Sequence, residues 1–298
     1  MADDEKARHA AEGVDVIVRF HDISRLWELE RAAFSLAGQF YKPVRILLAT
    51  QRFTPEKQEA VRTVIKMVAA WSPDVSVSLL NFSDAMPVDA RSELINLGFA
   101  NASGRYLGFL DYDDVLYPEA YALLVERLRR SDAGIAFARA QVVLADVHGE
   151  FSISVRHLQP FVGEGLADLF QGNFCPIHSF LLDRTRIAAT LLRFEPSLVI
   201  EEDYDFLLRV CAAVPSDFHL RATDIGLYYY KTDGSNTITP GARSSAEIER
   251  EATASAFVEL RRKMTPISAR VQQMLDIRPL RPQLSIRSFL TLRAEGVL

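Results

Sequence analysis

Apolar residues in the first half of this chain fall into short β-branched runs, each followed by a longer stretch with helical spacing. Val14 to Phe20 predicts a strand and Ile23 to Ala37 a helix; Val44 to Ala49 predicts a second strand, and a helix opening at Pro55 runs to about Trp71. Val75 to Leu80 supplies a third strand, Val88 to Ala102 another helix, and Tyr106 to Leu110 a fourth strand. Strand and helix in repetition predict an α/β fold, a mostly parallel sheet covered by helices on both faces. No internal repeat, low-complexity tract or Gly/Ser linker divides the chain, so the simplest organisation is one domain with elaborations: a flexible start at 1–13, a domain at 14–240 and a helical, basic extension at 241–298.

Composition narrows the class. With 298 residues, 49% of them hydrophobic, the chain is long enough to bury a core without staples. Its formal net charge of −5 excludes a general nucleic-acid binder, whose footprint would be basic. The two cysteines, Cys175 and Cys211, lack metal-ligand spacing and read as core residues in a reducing compartment. The polar start and the lack of a bilayer-length apolar run make a cytoplasmic protein the expectation.

The candidate chemistry begins at Asp111-Tyr112-Asp113-Asp114, where three carboxylates follow directly on a buried strand, at the end where α/β proteins place ligands. If the chain stays extended, Asp111 and Asp113 face the same side and offer oxygen ligands to a hard divalent cation, leaving open positions for phosphate oxygens. A solvated turn or a helix cap would use the same residues.

Upstream stand Asn96, Gly98, Ala102, Gly104, Tyr106, Phe109 and Leu110, and with the acids they resemble, in register over 19 residues, the signature of family 2 glycosyltransferases of the GT-A fold. Gly104 is expected to end the helix as a C-cap glycine. The resemblance implies a Rossmann-like, mostly parallel sheet, a nucleotide-sugar donor, and Mn²⁺ or Mg²⁺ held by Asp111, Asp113 and Asp114. About 90 residues on, Glu201-Glu202-Asp203-Tyr204-Asp205 with Arg209 is similar to the family's segment bearing the general base, which makes Asp203 the base and Glu202 its companion, with Arg209 an ion-pair partner. His178 falls on the acceptor side, and Lys231 and Asp233 fall in a late element that lacks the family's usual His. At the nucleotide, Asp22, Gln51 and Asn96 occupy family positions, although the acidic pair expected after the second strand is replaced by Thr50-Gln51. The activity implied is metal-dependent, inverting transfer of a sugar to a saccharide or lipid-linked acceptor, in surface polysaccharide biosynthesis.

Two other classes fit part of the pattern. Phe109 to Val115 also resembles the start of haloacid-dehalogenase-like phosphatases, with Asp111 as nucleophile, and the loss of the acidic pair fits a degenerate, non-catalytic nucleotide binder. From residue 260 on, eight Lys/Arg stand against Asp276 and Glu295, an asymmetry suited to peripheral contact with anionic lipid on the inner face of a membrane, or to a homo-oligomer contact.

Overall fold

The computed structural model describes residues 2–232 and 244–298. In chain order the elements are α1 (Ala2–Glu12), β1 (Val14–Phe20), α2 (Leu26–Ala37), β2 (Val44–Gln51), α3 (Pro55–Trp71), β3 (Val75–Phe82), α4 (Arg91–Asn101), β4 (Tyr106–Asp111), β5 (Val115–Leu116), α5 (Ala120–Arg130) and β6 (Ile135–Phe137). They continue with β7 (Arg139–His148), β8 (Phe151–His157), α6 (Leu166–Gln171), β9 (Phe180–Asp183), α7 (Glu202–Ala213), β10 (Ser216–Asp217), β11 (Asp224–Lys231), α8 (Ser245–Met264), α9 (Ala269–Met274) and α10 (Ile286–Ala294). Residues 2–12, expected to be flexible, are helical, and the helix expected at Ile23 is preceded by a short 3₁₀ turn that Asp22 caps through the Ser24 amide at 3.0 Å.

Seven strands form the central sheet in the order β10-β6-β9-β4-β1-β2-β3; β4-β1-β2-β3 run parallel, and β9 is antiparallel to both its neighbours. A second sheet, β5-β11-β7-β8, which the strand and helix alternation does not anticipate, stands beside the acids at the end of β4. Period-two alternation divides the interior. Val14, Val16, Val18 and Phe20 of β1 join one core with α2, α3 and α5, while Ile17 joins Leu107, Phe109 and α7 in the other. That second core is completed by Val258, Ile267, Val271, Ile286 and Phe289, so the C-terminal helices share the interior of the sheet domain. The charges at this end are largely spent within the fold. Arg261 pairs with Asp205, Arg262 and Arg287 with Glu259, Arg270 with Asp132, Arg278 with Asp276 and Arg293 with Asp168, the last four through exposed side chains.

On the same side of β1 as Ile17, the fully buried Asp15 ties three elements together. Its carboxylate accepts from Arg45 of β2 at 2.8 and 2.9 Å, from His9 Nε2 at 2.7 Å, and from the Ser103 and Gly104 amides at 2.6 and 2.7 Å. Burial opposes the charge, but these donors hold the carboxyl well below the usual range. Gly104 therefore has a different reason from the one expected. The helix caps at Ala102 in extended geometry, whereas a Cβ at 104 would lie 2.8 Å from the Gly13 carbonyl oxygen and 3.2 Å from the Asp15 carboxyl carbon. Gly104→Ala is expected to lower stability by about 1–3 kcal/mol, as overpacking against backbone does, read as a fall in the urea midpoint at unchanged slope.

Candidate active site

Parallel pairing places Arg19 opposite Asp111 where β1 and β4 end, and both side chains leave the sheet on the α7 side. Arg19 donates from Nε to Asp111 Oδ1 at 2.7 Å and from Nη1 to Glu202 Oε1 at 2.8 Å, joining the first acid of β4 to the first turn of α7. Burial opposes all of these charges. Arg19 nevertheless holds the Asp111 carboxyl below its ordinary range, while Asp111 and Glu202 raise the guanidinium well above its own.

Beyond Asp111 the chain does not stay extended. The Asp114 amide closes a turn on the Asp111 carbonyl at 3.1 Å, so the expectation that Asp111 and Asp113 share a side fails. Asp113 instead meets Lys231 Nζ at 2.6 Å, and Lys231 also meets Glu28 at 3.0 Å. Arg31 donates to the Asp113 carbonyl at 2.6 Å and lies over the Tyr229 ring. Burial, and then the neighbouring Asp111, pushes the Asp113 carboxyl up to about 6, and burial pushes Glu28 up to about 7. Asp114 turns inward, where it accepts from the Tyr229 amide at 2.9 Å and lies 3.3 Å from His178 Nδ1. Burial, then the neighbouring Asp113 and Asp111, carries Asp114 well above the carboxylate range, and burial carries His178 down to about 4, so His178 is a neutral buried ring stacked at 6.2 Å on Tyr228 of the cleft wall.

A cleft of about 720 Å³ runs past these groups. It is lined by His21, Asp22, Gln51, Asp89 and Arg91, by Arg19, Asp111 and Asp113, and by Glu201, Glu202 and Asp203, among others. Asp22 and Asp203 thus lie on its wall, as does Gln51. The Gln51 amide is already spent, however, donating to the Val88 carbonyl at 2.8 Å and accepting from the Ala90 amide at 3.2 Å. Asn96, expected at the nucleotide, is absent from the cleft lining. Its amide is closed on the Phe194 backbone in both directions, at 2.8 and 3.1 Å. Arg209 pairs with Asp205 at 3.0 Å, in the structural role expected of it. Asp233 lies outside the described residues.

Asp203 is half-buried in the first turn of α7. Burial, then Glu202 and Glu201, pushes its carboxyl up to about 7. Glu201 precedes the helix in left-handed geometry, with φ at 60°, and its side chain makes no cap hydrogen bond. Arg19 is a functional candidate that the motifs did not single out; its signal in the sequence is a charged residue between Val18 and Phe20 in a strand that also carries the buried Asp15.

A parallel sheet whose strand ends deliver carboxylates into a deep cleft, with a second small sheet beside them, defines a nucleotide-dependent transferase of the GT-A fold. The chain belongs to glycosyl transferase family 2, whose sequence model matches residues 28–185 and so includes the acids of β4 but stops short of Asp203. It is 27% identical over 214 residues to the succinoglycan biosynthesis protein ExoO of Rhizobium meliloti (strain 1021), a match covering 65% of this chain and 60% of that protein, so the chain spans less than two thirds of that relative. Structures of S. aureus TarS 1–349 share the fold: the complex with UDP-GlcNAc has a TM-score of 0.57 at 15% identity, covering 88% of this chain and 70% of that one. The complex with UDP has a TM-score of 0.56 at 13% identity, covering 88% and 69%. Family membership favours the transferase reading over the phosphatase one. Among the described residues no helix is long and apolar enough to cross a membrane.

Replacing Arg19 with Met would strand Asp111 and Glu202 as buried, unpaired carboxylates. Arg19→Met is expected to cost about 3–5 kcal/mol of unfolding free energy, with Arg19→Lys recovering part of it, measured by urea denaturation.

Proposed function

We propose that this glycosyltransferase moves a sugar from a nucleotide-sugar to an acceptor hydroxyl in one inverting displacement, with Asp203 as general base. The observation that carries this reading is Asp203 itself, a carboxylate on the cleft wall whose surroundings push it up to about 7, matched to a base working near neutral pH. Glu202, held by Arg19, keeps its neighbour in place. Asp203 takes the proton from the acceptor hydroxyl as oxygen attacks the anomeric carbon from the face opposite the leaving diphosphate. The donor is assigned to the part of the cleft lined by Asp22, Arg25 and Arg91, and Arg19 ties Asp111 to Glu202.

A divalent ion is part of the proposal. Among the described residues no three His, Cys, Asp or Glu side chains form a metal-binding group. The donor set fits an ion that arrives with diphosphate oxygens and is held by one or two carboxylates. Asp113 and Asp111, whose side chains are 20% and 25% exposed and line the cleft, are the residues to hold it, whereas Asp114 faces inward. Mn²⁺ or Mg²⁺ there would neutralise the departing diphosphate. The relative from succinoglycan biosynthesis supports assembly of a surface polysaccharide on a saccharide or lipid-linked acceptor as the setting.

Transfer is expected to rise with pH through about 7 and level off above it, because the raised carboxyl is protonated, and inactive as a base, at lower pH. Asp203→Asn should lower kcat by roughly 10²-fold or more and leave donor affinity little changed; a variant that keeps most of its activity and its acid limb would refute the assignment. Asp113→Asn is expected to abolish the Mn²⁺-dependent part of nucleoside diphosphate binding, and calorimetry showing equal affinity in both proteins would remove Asp113 from the site.

A further inference from the structure

Strand pairing sets Tyr228 beside the acids that end β4. β5, which follows directly on those acids, runs antiparallel to β11 with Leu116 opposite Gly226 and Val115 opposite Leu227. One step further along that register stand Asp114 and Tyr228, and the Asp114 carboxylate accepts from the next amide, that of Tyr229, at 2.9 Å. The close approach depends on Gly226, where a Cβ would collide with the Val115 carbonyl oxygen. His178 lies flat against the Tyr228 ring, while Phe161 and Tyr230 meet it edge to face at 5.6 and 5.3 Å. Three rings and a strand pairing thus hold this side chain in one place.

Its hydroxyl is unspent. Among the described residues it makes no hydrogen bond, yet it is not sealed in the core as the Tyr121 hydroxyl is, so it opens on the cleft that Tyr228 lines. A tyrosine with a purely structural role usually spends this group within the fold, as Tyr204 does on the Leu169 carbonyl at 2.7 Å. Burial, then Asp114, Tyr230, Asp111 and Asp113, hold the Tyr228 phenol above its ordinary range, so it keeps its proton and remains a donor.

Resting on the transferase reading above, we propose that Tyr228 is a catalytic residue of the leaving-group side, its hydroxyl donating a hydrogen bond to the diphosphate oxygen released from the anomeric carbon. As that C–O bond breaks, its electron pair passes to the oxygen, and the phenol steadies the charge without giving up its proton. The oxygen carries little charge in the intact donor and gains it on the way to product, so the contact strengthens toward the transition state. A donor already fixed by its neighbours needs no reorganisation at that moment. A cation in this position would be taken by the acids, as Lys231 is by Asp113, whereas the phenol stands among them unpaired.

Tyr228→Phe keeps the ring and deletes the hydroxyl. With Mn²⁺ present it is expected to lower kcat for hydrolysis of a nucleotide-sugar by about 10- to 100-fold at an unchanged KM, as loss of one preorganised donor does. Calorimetry over UDP, GDP, ADP, CDP and dTDP should show the diphosphate that the native protein binds weakened by about tenfold, with the matching monophosphate unaltered and the Tm unchanged. Tyr121→Phe, which removes an unpartnered hydroxyl from the core, should move none of these. In the native sequence, the fluorine resonance of 3-fluorotyrosine placed at 228 should shift with diphosphate and Mn²⁺ and stay still with monophosphate, a readout that no folding defect can mimic. Native kcat and diphosphate affinity in Tyr228→Phe would overturn the inference, as would an equal loss of monophosphate affinity or a fluorine signal that ignores diphosphate. If the native protein binds none of the five diphosphates, the transferase reading itself falls, and this inference with it.

Discussion

One buried guanidinium holds the two chemical halves of this enzyme in register. Arg19 reaches from the end of β1 to Asp111 on β4 and to Glu202 on α7, groups 92 and 183 residues away along the chain. Removing three charges from water costs several kcal/mol, and their attraction offsets that only in good geometry, so such a triad is a weak source of net stability and a strong source of uniqueness. α7 cannot slide or rotate on the sheet without breaking a charged contact in low dielectric. The distance between the acids at the end of β4 and those at the start of α7 is therefore fixed by a strand-to-helix tie and does not depend on a loop.

The same tie separates the titration of carboxylates that share one cleft. Asp111, in direct contact with Arg19, is held low, whereas Asp203, one residue beyond the tie and surrounded by Glu201 and Glu202, is pushed up. Two environments in one cavity thus push the acidities of two carboxylates apart, a difference that sequence alone cannot assign.

What could be read from the chain was local. Strands β1 to β4 and the helices between them announce themselves by period and by punctuation: β1, β2 and β4 are almost wholly buried and rich in Val, Ile and Leu, while the edge strand β3 alternates Val and Ser and is only partly buried. The acids at the end of β4 and the Asp203 segment were visible as motifs. Hidden were the features set by distant partners: the second sheet, whose strands β5 and β7 pair with the much later β11, and the turn that sends Asp111 and Asp113 to different cations. Gln51 and Asn96 have the right chemistry at the right positions, yet their amides are consumed by the backbone of residues 88–90 and 194. Side-chain type gives capacity to bind, and only the fold shows what that capacity is spent on.

The second core carries a consequence for biosynthesis. α7 bears Asp203 on its first turn, yet its far side is covered by α8 and α9, which the ribosome makes after it. A nascent chain that has completed the sheet and α7 still exposes Phe206, Val210 and their neighbours until residues from Val258 to Phe289 emerge. Folding during synthesis proceeds from the N-terminus, so the sheet can form early while the catalytic helix settles last. The fold thereby acquires a built-in order of maturation, in which the sheet precedes the settling of α7 and a chain interrupted near its end is left with a sticky, unfinished face for chaperones to recognise.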